Sequence, residues 1–242
     1  MSQSHPGTGF HRGHSLYERH LSDSARPDEF ELLGRSWELL DGVFSPAYTP
    51  VTGLFSGWLD YPRQGAFLEM GSGAGVTSVV AALSGCPDVT ALDISAAAVE
   101  NTRRNARRHG VGDRVRVLRS DLFTALEPGD RFDLVFWNSS FAEPPAGFVN
   151  GTDLHHAFFD PDYAAHRAYL ARAPRHLTEH GRLTLGFSSL GNWPRLRAIA
   201  DELGLEHEVL AAEERLLDGT LPVEFQLVGF RPSDGRAWPA LA

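Results

Sequence analysis

Lysine does not occur in this chain; all 22 basic residues are arginine. Lysine Schiff-base chemistry and the phosphate-gripping lysine of P-loop nucleotide sites are therefore excluded. The single cysteine, Cys86, rules out an internal disulfide and any zinc or iron–sulfur centre built on cysteines. No apolar run approaches the roughly 20 residues that a membrane helix needs. The polar, His-bearing segment Met1 to His20 has no apolar stretch of the signal-peptide kind. The expectation is a cytoplasmic protein with no membrane partner. Net charge is −9, the wrong sign for gripping a nucleic-acid backbone, so no nucleic-acid partner is expected. The one basic cluster, Arg103, Arg104, Arg107 and Arg108, has the spacing of a solvated helix face.

What is present suffices for one large domain: 242 residues, 42% of them apolar, with no internal repeat. Residues 1–27 are rich in Gly, Ser, His and Pro and read as a flexible N-terminal tail or lid, with a short helical patch over Ser15 to Leu21. The histidines there lack ligand spacing, and no metal is expected. Residues 28–60 read as a helical cap. Phe30, Leu32, Leu33, Trp37, Leu39 and Leu40 suggest an amphipathic helix over Asp28 to Leu40. Pro46 and Pro50 then fix a loop, followed by a helix with its N-cap expected at Thr52.

Residues 61–242 alternate strand and helix patterns. Strands are expected at Phe67–Met70, Val89–Leu92, Val115–Leu118, Phe132–Trp137, Arg182–Phe187, His207–Ala211 and Val223–Phe230. Helices fall between them, one capped by Ser95, others over Tyr163–Leu177 and Trp193–Leu203. The expected fold is α/β: a doubly wound, mostly parallel seven-stranded sheet with an antiparallel edge strand, preceded by N-terminal helices.

Function concentrates where the first of these strands ends, at Phe67-Leu-Glu-Met-Gly-Ser-Gly-Ala-Gly75. Glycines at Gly71, Gly73 and Gly75 remove Cβ from a turn that something must approach closely, and the following helix aims its free N–H groups at the same spot. The spacing is not the G-x-G-x-x-G of dinucleotide enzymes, and the acid Glu69 leads it. A carboxylate there would repel a pyrophosphate but suit S-adenosylmethionine, which carries a sulfonium and an ammonium and no phosphate. Asp93, followed by Ile94, ends the second strand where an acid can accept two ribose hydroxyls. Asp121 and Leu122 end the third.

In this order the residues resemble the class I, Rossmann-like S-adenosylmethionine-dependent methyltransferases, whose first motif is an acid followed by G-x-G-x-G. Within that class the chain is most similar to the protein-glutamine and ribosomal-RNA N-methyltransferases. The resemblance covers about Val43 to Arg231. It implies S-adenosylmethionine as cofactor, with Glu69 beside the methionyl ammonium, Gly71, Ser72, Gly73 and Gly75 forming the turn, and Asp93 on the ribose. Ile94 would be a further cofactor contact, and Asp121 with Leu122 would hold the adenine. It also makes Tyr48 and Thr52, in and after the proline loop, candidates to line the methionyl end.

The fourth strand delivers Asn138-Ser139-Ser140-Phe141, where amino-methylating members carry Asn-Pro-Pro and an aromatic. The resemblance gives Asn138 and Phe141 the orienting of the nucleophile, with Tyr48 the third candidate catalytic residue. Two serines replace the two prolines, which puts a planar amide or nucleobase acceptor in doubt and opens Ser139 and Ser140 to a smaller polar substrate. The long segment from Glu143 to Asp162 reads as a binding loop, with His155, His156 and Asp160 as candidate bases for a protonated amine. The reading is a transferase that methylates a nitrogen or oxygen of a small molecule, in specialised metabolism. A homodimer is the assembly considered. The alternative keeps the cofactor site but lets the cofactor's own amine attack its γ-carbon, releasing methylthioadenosine and a small cyclic amino acid such as azetidine-2-carboxylate. Asn138 and Tyr48 would then hold that amine deprotonated.

Overall fold

The structure, a computed structural model, describes residues 6–24, 26–217 and 219–238. It opens with α1 (Pro6–Ser22), a hairpin of β1 (Glu29–Leu32) and β2 (Arg35–Glu38), a single 3₁₀ turn at Pro46–Tyr48, and α2 (Val51–Trp58). The alternating core follows: β3 (Ala66–Met70), α3 (Val76–Leu83), β4 (Asp88–Asp93), α4 (Ala96–Arg108), β5 (Val115–Arg119) and β6 (Phe132–Asn138). After the long segment come α5 (Ala164–Arg172), β7 (Leu177–Ser188), α6 (Trp193–Glu202), β8 (Leu205–Leu217) and β9 (Leu221–Pro232).

Seven strands form one sheet in the order β5-β4-β3-β6-β7-β9-β8. Strands β3 to β7 run parallel, while β9 lies antiparallel between β7 and the edge strand β8. The period of two along each strand sends alternate side chains to opposite faces. Phe67, Leu134 and Phe136 join the core under α2, α3 and α4, whereas Leu68, Val135 and Trp137 join the one under α5 and α6. Each such fully buried side chain contributes roughly 2–3 kcal/mol relative to an exposed one. Because β4 and β5 extend the sheet to one side of β3 and β6 extends it to the other, the winding reverses between β3 and β6. A crevice opens outside the carboxyl ends of those strands. Among the described residues no helix is long and apolar enough to cross a membrane.

Three N-terminal expectations are corrected. The segment expected as an amphipathic helix over Asp28 to Leu40 is the β1–β2 hairpin, pairing Phe30 with Trp37 and Leu32 with Arg35. Leu33 and Gly34 both have positive φ, 53° and 69°, the backbone that a two-residue hairpin turn demands. The hairpin is held from α4. The Asn105 amide oxygen accepts from the Glu38 N–H at 2.9 Å, the Asn101 amide oxygen from the Leu40 N–H at 2.8 Å, and both amide nitrogens donate to the Glu38 carbonyl. Long-range amide bonds of this kind overrode a local pattern that suited either structure.

The segment expected as a flexible tail or lid is, from Pro6 onward, the 17-residue helix α1; its first five residues lie outside the described ones. Gly9 and Gly13 lower helix propensity by about 1 kcal/mol each relative to alanine, yet both are contact points. A Cβ on Gly9 would sit 2.1 Å from the Leu190 carbonyl oxygen, and one on Gly13 would sit 3.1 Å from the Phe159 ring. Tyr17 packs with Ala142, Phe158 and Phe159 in a small cluster of its own. His20, deep in the structure, donates from Nδ1 to the Leu16 carbonyl and accepts the Ser45 N–H on Nε2 at 2.8 Å. Burial holds its imidazole neutral down to about 4. The helix α2 is entered from Pro50; Thr52, expected as its N-cap, lies inside it, and Thr49 accepts the Val51 N–H instead.

Candidate active site

A cavity of about 740 Å³ fills the crevice, floored by the ends of β3, β4, β5 and β6. Its roof is α1, the loop Gly42 to Thr52 and the segment Ala142 to Pro161. That volume falls within the range that holds a cofactor together with a small ligand.

The glycine turn is built by internal hydrogen bonds. Ser72 donates its N–H to the Leu92 carbonyl at 3.0 Å, Gly75 to Ser72 at 2.7 Å, and Gly73 to the Asp93 carboxylate at 2.9 Å. Ser72 and Thr102 hydroxyls meet at 2.9 Å, and the Thr102 hydroxyl also reaches the Gly73 carbonyl. Three amides that could have cradled a phosphate are therefore already satisfied. Gly75 itself does not face the cavity; it enters α3 with φ of 80°, its absent Cβ 2.8 Å from Thr102 Cα. It was expected to contact the cofactor and instead seats the turn on α4. Gly75→Ala is expected to destabilise the fold by roughly 2–4 kcal/mol, combining a left-handed backbone with a clash against main chain. Urea unfolding measures this directly, and a loss under about 0.5 kcal/mol, the range of a neutral surface change, would contradict the placement.

Glu69 projects from β3 toward α3. It accepts the Ser78 N–H at 2.8 Å and the Ser78 hydroxyl as well. Complete burial pushes its carboxyl up to about 8; the Ser78 and Thr77 hydrogen bonds oppose this, and Asp93 nearby adds to it. Asp93 accepts from Gly73 on one oxygen and from Ser95 on the other, both at 2.9 Å, and burial raises its pKa too. Ser95 caps α4, as expected. Gly71, Ser72, Gly73, Ile94, Asp121 and Leu122 line the same end of the cavity.

At the other end Asn138 faces the cavity from the last residue of β6. Ser139 turns inward: its hydroxyl donates to the Gly186 carbonyl at 2.8 Å, tying β6 to β7 in place of a proline's rigidity. Ser140 lines the cavity beside Phe141. The Phe141 carbonyl is gripped by the Tyr163 hydroxyl at 2.6 Å, which in turn accepts the Asn192 N–H at 2.7 Å. Asp162 and Tyr163 both adopt positive φ, 56° and 51°, a strained pair that the neighbouring bonds hold.

The long segment sorts its candidates. His156 lines the cavity; His155 does not. The His155 ring packs 4.4 Å from that of Tyr17, and its Nδ1 accepts the Gly151 N–H at 2.9 Å, so its expected role at the substrate is corrected to a wall contact for α1. Asp160 is committed as the cap of α5, accepting from the Ala165 and His166 N–H groups and pairing with His166 Nδ1 at 2.6 Å. It is thus no free base. Tyr48 and Thr52 line the cavity, but the Tyr48 hydroxyl is bound to the Asp23 carboxylate at 2.6 Å. No group of three or more metal-ligating side chains exists among the described residues.

Arg12, Leu16 and Arg19 of α1, and Leu217 and Phe225 of the β8–β9 hairpin, complete the lining. None was anticipated. The spacing of Gly9, Arg12, Gly13, Leu16 and Arg19 along one helix face is the signal that was there to be read.

The donor set decides which ligand fits. Glu69, Asp93 and Asp121 put three carboxyl groups at one end, and the Ser72, Gly73 and Gly75 amides are already paired. The arrangement suits a ligand with a cationic amino-acid end and a ribose, and opposes a pyrophosphate. Comparison with known proteins agrees. Residues 38–214 match the methyltransferase small domain family, and the chain belongs to that family of S-adenosylmethionine-dependent transferases; S-adenosylmethionine is the cofactor. It is 32% identical over 176 residues to a ribosomal protein uL3 glutamine methyltransferase of Bradyrhizobium diazoefficiens, covering 64% of this chain and 50% of that one. It is 30% identical to ribosomal RNA small subunit methyltransferase C of Aeromonas hydrophila, covering 71% and 48%. The chain spans half or less of the length of these curated relatives. The same fold occurs in a T. thermophilus 16S rRNA methyltransferase solved with AdoMet and guanosine, with a TM-score of 0.58 and 20% identity over 84% of this chain and 49% of that one.

Proposed function

We propose that the protein transfers the methyl group of S-adenosylmethionine to a nitrogen or oxygen of a small molecule. The observation that carries the reading is the roof. With α1 and the segment 142–161 in place, the space beside the cofactor is a recess roofed by both, of a size that suits a small acceptor. The relatives' named targets are a protein glutamine and ribosomal RNA. Against those targets here stand the net charge of −9 and the helix packed over the mouth.

Bound S-adenosylmethionine supplies a methyl group already activated on a sulfonium. The residues of this chain then have to position and dry the acceptor. Glu69 and Asp93 hold the cofactor's cationic and ribose portions. Asn138 accepts a hydrogen bond from the acceptor's N–H or O–H and so aims its lone pair, the kind of orientation that supplies much of the rate in a displacement. Phe141 covers the acceptor, and Ser140 offers it a second polar contact. His156, at the cavity wall, can take up the proton released.

Incubation with methyl-labelled S-adenosylmethionine tests the reading. One reaction receives a low-mass metabolite fraction, and parallel ones receive ribosomal protein and RNA. Label is expected in the low-mass fraction. Label confined to protein or RNA would overturn the small-molecule assignment.

A further inference from the structure

We propose that Tyr163 is a positioning residue for methyl transfer: its hydroxyl holds the Asn138–Phe141 turn, and with it Asn138, in the geometry that meets the acceptor. The proposal rests on the reading of Asn138 as the group that aims the acceptor, and not on the acceptor's size or class.

The turn after β6 has no proline, so its backbone starts with freedom that a pyrrolidine ring would have removed. Hydrogen bonds restrict it instead, at both ends. At the near end Ser139 reaches the Gly186 carbonyl through its hydroxyl at 2.8 Å and its N–H at 3.3 Å. Inside the turn the Phe141 N–H folds back on the Ser139 carbonyl at 3.1 Å. At the far end the Phe141 carbonyl accepts the Tyr163 hydroxyl at 2.6 Å. The next carbonyl, that of Ala142, accepts the Asp160 N–H at 3.1 Å. Tyr163 thus supplies a side-chain anchor on the residue whose ring covers the acceptor.

The hydroxyl has one orientation. It accepts the Asn192 N–H at 2.7 Å, which leaves its own proton directed at the Phe141 carbonyl. Asn192 is itself fixed as the N-cap of α6. Its side-chain oxygen accepts the Arg195 N–H at 3.0 Å, and its amide nitrogen donates to the Glu143 carboxylate at 2.6 Å. The Tyr163 ring is fully buried and stacked 4.4 Å from the His166 ring, so it cannot swing aside. Phe187 lies edge-on to the rings of both Tyr163 and Phe141, at 6.4 and 6.2 Å. One side chain therefore backs the Phe141 carbonyl directly and the Phe141 ring through Phe187.

The backbone at this point is strained. Tyr163 has a φ of 51°, in the left-handed region that glycine takes freely and a bulky residue does not. Such outliers persist where surrounding bonds over-determine them, and they cluster at functional sites. Tyr163 does not line the cavity. It acts through the turn and not on the acceptor.

Two cofactor analogues read the turn without needing an acceptor. S-adenosylhomocysteine has no group at the methyl position. Sinefungin carries an ammonium-bearing carbon in place of the methylated sulfonium and so sets a hydrogen-bond donor beside Asn138. The ratio of sinefungin to S-adenosylhomocysteine affinity is measured by calorimetry for wild type, Tyr163→Phe, Asn138→Ala and Tyr169→Phe, with urea unfolding of each. Tyr169→Phe matches the structural loss: that hydroxyl is equally buried and donates to the Thr184 carbonyl at 2.7 Å, in the middle of β7.

Tyr163→Phe is expected to lower the ratio about 5- to 20-fold, with S-adenosylhomocysteine binding within about threefold of wild type. Asn138→Ala lowers it at least as far, and Tyr169→Phe leaves it unchanged at a similar loss of stability. With any acceptor that the enzyme methylates, Tyr163→Phe also lowers kcat about 5- to 30-fold while the cofactor KM stays within about threefold. Should Tyr163→Phe not fold, Glu143→Gln, which slackens the Asn192 bridge behind the hydroxyl, is read by the same ratio, with about a two- to fivefold fall expected.

A ratio that Asn138→Ala lowers and the variant read at Tyr163 or Glu143 does not overturns the positioning role and leaves Asn138 standing. An equal fall in Tyr169→Phe overturns it as well, since any lost buried hydroxyl would then suffice. An undiminished kcat in Tyr163→Phe does the same. If Asn138→Ala leaves the ratio unchanged, the reading of Asn138 fails and this proposal fails with it.

Discussion

Asn138→Ala is expected to lower kcat by about 10²- to 10³-fold, the range measured when one preorganised hydrogen-bonding group is removed from a reacting centre. Binding of S-adenosylhomocysteine should change by less than about threefold, because the residues proposed to hold the cofactor stand at the ends of β3, β4 and β5. The side chain sits at the last residue of a central strand, is half-buried and faces the cavity. The next residue anchors it: Ser139 bonds the Gly186 carbonyl through both its hydroxyl and its N–H. Ser139→Ala loosens this anchor without touching the acceptor and should cost far less. If the two variants lose equal activity, Asn138 is not the group that aims the acceptor.

The second large effect concerns Glu69, whose pKa is pushed from 4.5 to about 8 by burial. At neutral pH the empty site therefore keeps this carboxyl mostly protonated. A cation placed beside it favours the charged form, so cofactor binding should release a proton and tighten as pH rises toward 8. Stability runs the opposite way. The unfolded chain ionises Glu69 above about 4.5 while the native state holds the proton. The stabilisation is thus fully present below 4.5 and is lost as pH rises to about 8, a swing on the order of 4 kcal/mol. Glu69→Gln keeps an acceptor for Ser78 but cannot ionise. It is expected to flatten the dependence of unfolding free energy on pH between 5 and 8.5, while weakening the cofactor by about 10-fold or more at pH 8. Urea unfolding at both pH values and calorimetry in buffers of different ionisation enthalpy read the two effects. An unchanged pH slope in Glu69→Gln would show that another group titrates.

Much of the domain was legible from alternation. Leu134, Val135, Phe136 and Trp137 send alternate side chains to two separate cores, so β6 reads as a strand covered on both faces. The acid, the glycine turn and Asp93 could be placed because each stands at a strand end, and in a doubly wound sheet strand ends converge. Three things were not legible. The β1–β2 hairpin depends on Asn101 and Asn105, more than 60 residues away, and its local pattern fits a helix equally well. The helix α1 carries two glycines that count against it locally and are required only because Leu190 and Phe159 lie beneath them. Asp160 resembles a loop base until His166, six residues on, takes its carboxylate. Each miss is a tertiary contact that overrules a local preference.

The central claim is that this cavity brings a small acceptor to the cofactor's methyl group. Mass spectrometry of the purified protein incubated with S-adenosylmethionine alone, and then with a panel of amines and amino acids, tests it most directly. The account predicts S-adenosylhomocysteine only when an acceptor is present, together with an acceptor heavier by one methylene. Methylthioadenosine formed from S-adenosylmethionine alone would contradict it and assign the cavity to intramolecular cyclisation instead.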